Sequence, residues 1–308
     1  MLSVIIFVNE MNLRRHLSRK SESKILKGMV RMSQKKVWFV TGSSKGFGLA
    51  LVKTLVDRGY KVAATSRVVR DLELSVGLHD NFFPLQMDLT NDSDVKTAID
   101  ATIKRFGRLD VVVNNAGYCQ VGPIEEVPDH LIRQNFEVNV FGTLNVIRHA
   151  LPQLRKQRSG HIFNISSIAG YQGMAATGVY SATKFAVDGM SESLAQEVAP
   201  LGIFVTSVKP GFFRTNFFSE GSIRAGGNPI ADYETIRKNQ ESGIRSYDKN
   251  QPGDPNKGMD VLIRVSESEY PPVHLFLGAD AYGVADQKVA NVKQEMQFWK
   301  YLATKTDF

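Results

Sequence analysis

The sequence predicts an α/β fold, with one domain built on a doubly wound parallel sheet that carries helices on both faces. From residue 37 onward, short apolar runs alternate with segments of helical spacing, which is typical of right-handed βαβ units. One run is continuous valine over Val111–Val113, as expected for a strand covered on both faces. No proline- or glycine-rich linker interrupts this alternation, and the pattern therefore favours a single domain.

The predicted elements follow one another closely along the chain. The strand-like segments are Val37–Val40, Lys61–Thr65, Phe83–Met87, Leu109–Val113, His161–Ile165, Ile203–Val208 and His274–Leu277. Helices are predicted over 46–58, from the cap region at 91–94 to residue 107, over 129–150 and over 180–199. Asp254 followed by Pro255 predicts one more helix start. The polar stretch 219–260 is the only long irregular region, so we expect a substrate loop at about 211–260.

The first 31 residues form a basic leader without clean helical periodicity. The formal net charge of the chain is +7, and residues 1–36 alone carry nine Lys or Arg against two Glu. Because this excess equals the whole net charge, the rest of the chain is neutral overall and predicts no nucleic-acid partner. We expect the leader to be a disordered tail, or read-through upstream of a start at Met32, with the domain at 32–308. A basic tail that binds a partner is the alternative.

The composition also argues against membrane-spanning and disulfide-rich proteins. No stretch approaches the roughly 18 to 20 apolar residues that cross a bilayer, and Cys119 is the only cysteine. One cysteine cannot form an intramolecular disulfide, so a reducing compartment is expected. We therefore expect a cytoplasmic protein with no membrane partner.

A glycine-rich turn joins the first predicted strand to the first predicted helix. Gly42 is placed to make the tight turn, Gly46 to let the backbone approach a pyrophosphate, and Gly48 to allow close packing of helix and strand. The start of the helix offers unpaired N–H groups and a positive dipole end to phosphates. This arrangement predicts a dinucleotide site, the alternative being a plain turn.

The residues after the second strand indicate which dinucleotide is bound. Enzymes that use NAD place an Asp or Glu there to hold the ribose 2′-hydroxyl, but no acidic residue occurs between Arg58 and Arg70. Arg67 follows the strand, and Lys45 lies inside the glycine turn. Cations at these positions attract a 2′-phosphate, so NADP(H) is favoured over NAD(H), unless both side chains are only solvated surface charges.

A tyrosine and a lysine four residues apart form the candidate catalytic pair. Tyr180 and Lys184 open a predicted helix and share one face of it. A phenol with its ordinary pKa of about 10 is a poor base at neutral pH, and a neighbouring ammonium favours the phenolate. Tyr301 and Lys305 have the same spacing, but only the first pair follows a serine, Ser167, at the end of a strand. We therefore interpret the second pair as a chance match.

Together these residues resemble the classical short-chain dehydrogenase/reductase family over roughly residues 36–215. The matching motifs, in the family's order, are Thr41–Gly48, Asp88, Asn114–Gly117, Asn139, Ser167, Tyr180 with Lys184, and Pro210-Gly211 followed by Thr215. The resemblance implies a Rossmann-type sheet of about seven strands and an NAD(P)-dependent enzyme that acts on CH–OH or C=O groups. It also implies a homodimer or homotetramer, and no metal.

The resemblance further implies roles for single residues. Tyr180 would be the acid/base, Ser167 would hydrogen-bond the substrate oxygen, and Lys184 would hold the nicotinamide ribose and lower the pKa of the tyrosine. Asn139 would support a proton-relay water, unless it bonds only to backbone, and Asp88 would contact the adenine, unless it only caps a helix. The expected cofactor-binding residues are Gly42, Ser44, Lys45, Gly46, Phe47, Gly48, Arg67, Asp88, Leu89, Asn115, Ala116, Gly117, Tyr180, Lys184, Pro210, Gly211 and Thr215.

The function that follows is NADP(H)-dependent hydride transfer between the nicotinamide and a carbonyl or alcohol substrate. The loops expected beyond the strand ends are mostly apolar, with Arg214 as an available cation; their larger side chains are Tyr118, Val121, Tyr171, Met174, Phe212, Phe213, Phe217 and Phe218. They predict an uncharged, hydrophobic small molecule, or else they pack a lid or a subunit interface. The alternative function is an NADP(H)-binding sensor or scaffold with little turnover.

Overall fold

Seven parallel strands form the main sheet of the computed structural model, which describes residues 35–215, 217, 222–247 and 250–308. All strands, in chain order, are β1 (Val37–Val40), β2 (Lys61–Ser66), β3 (Phe82–Gln86), β4 (Val111–Asn114), β5 (Cys119–Val121), β6 (Gly160–Ile165), β7 (Ile203–Pro210), β8 (Ile223–Ala225) and β9 (His274–Leu277). The main sheet has the order β3-β2-β1-β4-β6-β7-β9, and β5 pairs with β8 in a separate parallel ribbon. The predicted doubly wound parallel sheet is confirmed.

Helices connect the strands and cover both faces of the main sheet. Those of the described residues are α1 (Gly46–Asp57), α2 (Val69–Val76), α3 (Asp92–Phe106), α4 (Asp129–Phe136), α5 (Gly142–Gln157), α6 (Gly178–Val198), α7 (Glu234–Tyr247), α8 (Pro255–Glu267) and α9 (Ala279–Ala303). Asn91 caps α3 by accepting hydrogen bonds from the backbone N–H groups of Ser93 and Asp94. Asp254 caps α8 as predicted, accepting from the Asn256 N–H at 2.9 Å.

The core consists of two apolar layers, one on each face of the sheet. Trp38 and Val40 of β1 pack with residues of α1, α2 and α8, whereas Phe39 packs with residues of α3, α5 and α6. All three side chains are fully buried. Since neighbouring side chains of a strand point to opposite faces, β1 must be apolar at every position, which explains the continuous apolar runs in the sequence.

Several regions differ from the prediction. The helix expected over 129–150 is α4, a π-helical segment at Glu137–Phe141, and α5. The polar stretch 219–260 is not irregular throughout, because β8, α7 and the start of α8 lie in its described part. Helix α7 is stabilised by ion pairs one turn apart, such as Glu234–Lys238 at 2.7 Å, and its few apolar residues gave no clear helical pattern. Helices α2 and α9 were not predicted at all.

Residues 36–308 form one unit, as expected for a single domain. The predicted basic leader at 1–31 and the predicted start at Met32 lie outside the described residues. Among the helices that the structure describes, none combines the length and the apolar character that crossing a bilayer requires.

Candidate active site

A cavity of about 600 Å³ lies at the carboxyl ends of the main-sheet strands. Its walls come from segments that follow β1, β2, β3, β4, β6 and β7, and in open α/β sheets this edge is where ligands bind. The predicted site residues that line it are Gly42, Ser44, Lys45, Gly46, Phe47, Arg67, Asp88, Leu89, Asn115, Ala116, Gly117, Ser167, Tyr180, Lys184, Pro210, Gly211 and Thr215. Gly48 and Asn139 do not line it.

The glycine turn after β1 needs its three glycines for different reasons. Gly42 has φ +64°, and a Cβ there would lie 2.6 Å from the Ala116 Cα. Gly46 has φ +58°, with nothing within 4 Å of the position of a Cβ, so its backbone is open to a ligand. A Cβ on Gly48 would lie 2.5 Å from the Gly42 carbonyl oxygen. Gly42 and Gly48 therefore pack the turn tightly, whereas Gly46 leaves the space that a pyrophosphate requires.

Thr41 and Asn115 hold this turn against the loop that follows β4. The buried Thr41 hydroxyl accepts hydrogen bonds from the N–H groups of Asn115 (3.0 Å) and Ala116 (3.1 Å). The Asn115 side-chain amide donates to the carbonyls of Thr41 and Gly42, both at 3.0 Å. These hydrogen bonds join the turn after β1 to the loop after β4, which is the neighbouring strand in the sheet. This brace is an addition to the sequence interpretation, which gave Asn115 only a cofactor contact.

Ser167, Tyr180 and Lys184 converge on the same part of the cavity. Ser167 follows β6 and accepts a hydrogen bond from the Ala169 N–H at 3.0 Å. Tyr180 is buried in the first turns of α6 and lines the cavity together with Ser167. The Lys184 ammonium donates to the Ile165 carbonyl at 2.7 Å and lies 5.7 Å from the centre of the Tyr180 ring. The i, i+4 spacing therefore brings hydroxyl and ammonium groups to one site.

Burial determines the protonation of this cluster. It raises the pKa of Tyr180 well above its ordinary value, a shift that the hydrogen bond with Ser167 only partly opposes. Burial lowers the pKa of Lys184 to about 8 and raises the pKa of the neighbouring Cys119 thiol to about 12. Burial is therefore the largest influence on the pKa of Tyr180 in this structure and raises it, whereas the lowering by Lys184 that the resemblance implies stays a prediction. Tyr180 carries its proton at neutral pH.

Asn139 lies behind the cavity wall, in the π-helical segment between α4 and α5. Its side-chain oxygen accepts from the Tyr118 N–H at 3.1 Å, and its amide donates to the Tyr118 carbonyl and the Thr183 hydroxyl, both at 3.0 Å. A Cβ on Gly117 would lie 3.0 Å from the Asn139 oxygen and 3.5 Å from the Lys184 nitrogen. Asn139 therefore fixes the segment after β4 beside Lys184, and it bonds a side chain as well as backbone.

Comparison with known proteins identifies the family. The model of the short chain dehydrogenase family matches residues 36–223. The oxidoreductase BOA17 of Botryotinia fuckeliana is 33% identical over 87% of this chain and 98% of its own length. The chain belongs to the short-chain dehydrogenase family.

Solved structures of the family agree with this assignment. A short-chain dehydrogenase from Streptomyces avermitilis is 37% identical, with a TM-score of 0.82 over 89% of this chain and 100% of its own. A short-chain dehydrogenase from Burkholderia cenocepacia in complex with NADP is 25% identical, with a TM-score of 0.66 over 86% of this chain and 97% of its own. The chain is thus an oxidoreductase of the class that acts on CH–OH or C=O groups with NAD(P).

In this short-chain dehydrogenase, one carboxylate and four cations line the described part of the cavity: Asp88, Lys45, Arg67, Lys184 and Arg224. The Asp88 carboxylate accepts from the N–H and hydroxyl of Thr90 at 2.9 and 2.7 Å. These bonds, followed by the charge of Arg67, hold the pKa of Asp88 below its ordinary value. Asp88 does not cap α3, since Asn91 does. The excess of cations suits a phosphate-bearing ligand.

The far end of the cavity includes residues that the sequence interpretation missed. Arg214, the cation expected there, instead donates to the Gln251 carbonyl at 3.2 Å and does not line the cavity. Arg224 of β8 lines it, with its guanidinium 4.0 Å from the centre of the Tyr118 ring. Gln240 and Ile244 of α7 complete this wall. Nothing local in the sequence signals them, because β8 reaches the site by pairing with β5, and Gln240 of α7 by a hydrogen bond to the distant Ala176 carbonyl.

Apolar side chains also pack against Tyr180. Tyr180 packs in one cluster with Cys119, Val121 and Ala169, against which the partly buried Phe217 and Ile223 also pack. Met174 is a further lining residue, whereas Phe218 of the predicted aromatic set lies outside the described residues. An apolar wall around a protonated phenol excludes water from the reacting groups. It fits an uncharged substrate near the hydroxyl.

Proposed function

We propose that this short-chain dehydrogenase transfers a hydride between NADP(H) and an uncharged, hydrophobic carbonyl or alcohol substrate, with Tyr180 as the acid/base. The observation that carries the proposal is the meeting of Tyr180, Ser167 and Lys184 in the cavity that also contains the glycine turn. One end of this cavity offers backbone space and cations to a dinucleotide. The other offers hydroxyl groups inside an apolar wall to a carbonyl.

The chemistry follows from the groups at the reacting end. A bound nicotinamide supplies the hydride. The Tyr180 hydroxyl donates its proton to the oxygen of the carbonyl as negative charge develops there. The Ser167 hydroxyl donates a hydrogen bond to the same oxygen, so that the two residues act as a small oxyanion site. In the direction of alcohol oxidation the same proton returns to Tyr180, which requires the phenolate and therefore a higher pH.

Lys184 and Asn139 support this reaction by position. The Lys184 ammonium is anchored on the Ile165 carbonyl and lies beside Gly117, which lines the cavity, where it can bind the ribose of a nicotinamide nucleotide. Asn139 also lies beside Gly117 and holds the backbone of Tyr118. A water bound between the Asn139 region and Lys184 would complete the proton relay that family membership suggests.

Preference for NADP(H) over NAD(H) rests on Lys45 and Arg67. Both line the cavity, and β2 ends at Ser66 without a carboxylate to repel a 2′-phosphate. The related structure from Burkholderia cenocepacia contains NADP. A Burkholderia phymatum structure at 20% identity contains NAD, but at this identity it supports only the fold.

Replacing Arg67 by aspartate is expected to lower the ratio of NADPH to NADH affinity by at least about tenfold, because the 2′-phosphate loses a cation and meets a carboxylate. Titration calorimetry with both cofactors measures the ratio. Arg70→Asp is the matched control, since Arg70 is exposed on α2 and does not line the cavity. An unchanged ratio in Arg67→Asp would show that Arg67 does not bind the phosphate.

The pH profile tests the proposed role of Lys184. With a pKa of about 8, this lysine is charged at neutral pH and loses its charge as the pH rises through that value. We expect kcat/KM for carbonyl reduction to be level at neutral pH and to fall above about pH 8. Tyr180 does not cause this fall, since burial raises its pKa. In Lys184→Arg the guanidinium stays charged, so the fall should disappear; if it persists, another group titrates.

The activity itself is tested by NADPH oxidation against uncharged ketones, aldehydes, quinones and steroids. We expect turnover on at least one apolar member, because the side chains that pack against Tyr180 in its cluster are apolar. Tight NADPH binding without turnover on any member would contradict the proposal and favour the sensor or scaffold. A sensor or scaffold would not require Ser167, Tyr180 and Lys184 to lie together in the cavity.

A further inference from the structure

Helix α9 carries apolar side chains into solvent at the end of the chain. Its first turns pack on the domain, where Ala281 and Ala285 are buried. From Val289 to the last residue every side chain is exposed. Val289 is 53% exposed, Met296 68% and Trp299 58%. Apolar side chains so exposed along a helix mark a surface that binds a partner.

These side chains follow a regular spacing. At intervals of three and four residues, α9 places Tyr282, Ala285, Val289, Val292, Met296 and Trp299, here called the α9 stripe. An alternation of three and four gives a mean period of about 3.5 residues, which is the spacing of a seam between two supercoiled helices. The stripe begins on the domain and continues beyond it, so the surface that covers its outer part must come from elsewhere.

We propose that the α9 stripe binds the same stripe of a second copy of this chain, with the two helices antiparallel. One register places Val289 of one copy opposite Val292 of the other, and two-fold symmetry repeats this contact. The same register places Tyr282 opposite Trp299. Both ends of the stripe are then covered by an aromatic pair, and the interface closes as a dimer.

The charged residues beside the stripe select this register. Asp286 of one copy faces Lys293 of the other, and Lys288 faces Glu295. Symmetry doubles both contacts, which gives four pairs of opposite charge along the seam. A parallel arrangement would instead place Lys288 opposite Lys293, at the flanking positions where like charges repel. The same parallel arrangement would bring Glu295 to Lys300, so its attractive and repulsive contacts offset each other, whereas all four contacts of the antiparallel arrangement are attractive.

The part of the domain beside the first turns of α9 can accommodate the C-terminal end of α9 from a second copy. In the proposed register Met296 falls at the level of Ala285, which its own domain already covers, so Met296 contacts the surface next to Ala285 and not Ala285 itself. One residue near this part of α9 is Phe185 of α6, an exposed aromatic residue that contacts Lys288, with the ammonium 5.6 Å from the ring centre. A large flexible side chain therefore meets a shallow apolar surface, as helix packing requires.

The balance of charge favours a second copy over an anionic partner. From Ala279 to Ala303 the helix has three acidic and three basic residues. Nucleic acids and anionic bilayers attract helices with an excess of basic residues. The α9 stripe has no such excess, and its charges are arranged for pairing with themselves.

Sedimentation velocity over a concentration series measures the dimer in the full chain. Met296→Asp puts a charge into the stripe and is expected to weaken self-association by at least roughly 30-fold. Gln297→Asp adds the same charge at the next exposed position, outside the stripe, and should leave association unchanged. Both positions are exposed, so neither variant threatens folding. A monomer at all concentrations, or a dimer that Met296→Asp leaves intact, overturns the proposal.

Charge reversal tests the direction of the helices. In the antiparallel register Lys293→Asp places two carboxylates opposite each other, at 293 and at Asp286, and should weaken the dimer. Adding Asp286→Lys restores the opposite charges and should restore association. A parallel pair predicts the reverse for the single variant, because it removes the repulsion between Lys288 and Lys293. Stronger association of Lys293→Asp would therefore overturn the proposed register.

Two further measurements test other occupants of the stripe. A chain that is monomeric when complete and dimeric only after removal of residues 1–34 would show that this segment covers the stripe, which overturns the proposal. The chain could also be a monomer that sediments with vesicles of phosphatidylcholine and phosphatidylserine. If Met296→Asp abolishes this binding to vesicles, the stripe binds a membrane surface and the proposal is overturned. A dimer that persists without residues 1–34, does not bind vesicles and dissociates in Met296→Asp supports it.

Discussion

Tyr180→Phe is expected to slow NADPH-dependent carbonyl reduction about a thousandfold, while the affinity for NADPH changes little. The substitution removes one hydroxyl from a buried side chain and leaves the ring in its apolar cluster with Cys119, Val121 and Ala169. General acids contribute roughly 10² to 10⁴ in rate, so a loss of about 4 kcal/mol in transition-state stabilisation is expected. Steady-state kinetics give the rate, and fluorescence titration gives the affinity.

The chain contains a matched control for this variant. Tyr301 has the same spacing to a lysine, but it is 77% exposed and does not line the cavity. Tyr301→Phe should therefore keep full activity. If Tyr180→Phe keeps its activity as well, Tyr180 is not the proton donor. If both variants lose activity equally, the loss reflects general damage to the protein.

The strands of the main sheet were predictable because a strand that is buried on both faces consists of a nearly continuous run of apolar residues. β1 was predicted with its observed bounds, and β6 and β7 within two residues at either end. Each combines β-branched or aromatic residues without polar alternation, and turn residues separate it from the next helix. The exact ends were less predictable: β4 begins two residues later than predicted, and β7 ends two residues later, because hydrogen-bond pairing with a neighbouring strand sets the ends and local sequence does not.

The small ribbon of β5 and β8 could not be predicted for a related reason. Cys119 pairs with Ile223, about a hundred residues later, and each strand has only three residues. A local pattern of that length carries no signal, yet this pairing brings Arg224 to the cavity. Long-range pairing therefore completes the substrate end of the site, whereas each motif at the cofactor end could be recognised from the local sequence.

The protonation of the site shows another limit of sequence reasoning. The spacing of Tyr180 and Lys184 correctly indicated that the two side chains share a face of α6. The spacing did not indicate that both side chains are buried, and burial shifts the two pKa values in opposite directions, up for Tyr180 and down for Lys184. How much solvent a group loses depends on all of the elements around it, which four residues of sequence cannot show.

Gly42→Ala should have the largest effect on stability among the single-methyl changes in the glycine turn. Gly42 has φ +64°, and the new Cβ would lie 2.6 Å from the Cα and 2.9 Å from the Cβ of Ala116. The left-handed backbone costs about 1 to 2 kcal/mol for alanine, and the overlap with a braced backbone adds roughly 1 to 3 kcal/mol. We expect a loss of about 3 kcal/mol or more in the free energy of unfolding, measured by urea denaturation.

Gly107→Ala separates these two contributions. Gly107 ends α3 with φ +78°, but nothing lies within 4 Å of the position of its Cβ. This variant therefore carries the cost of the left-handed backbone alone, about 1 to 2 kcal/mol, and should bind NADPH normally. Gly42→Ala moves the loop at Ala116 away from the turn that Thr41 and Asn115 brace, so its NADPH affinity should fall at least about tenfold. Equal stability and equal NADPH affinity in the two variants would contradict the idea that close contact between the turn and this loop shapes the cofactor site.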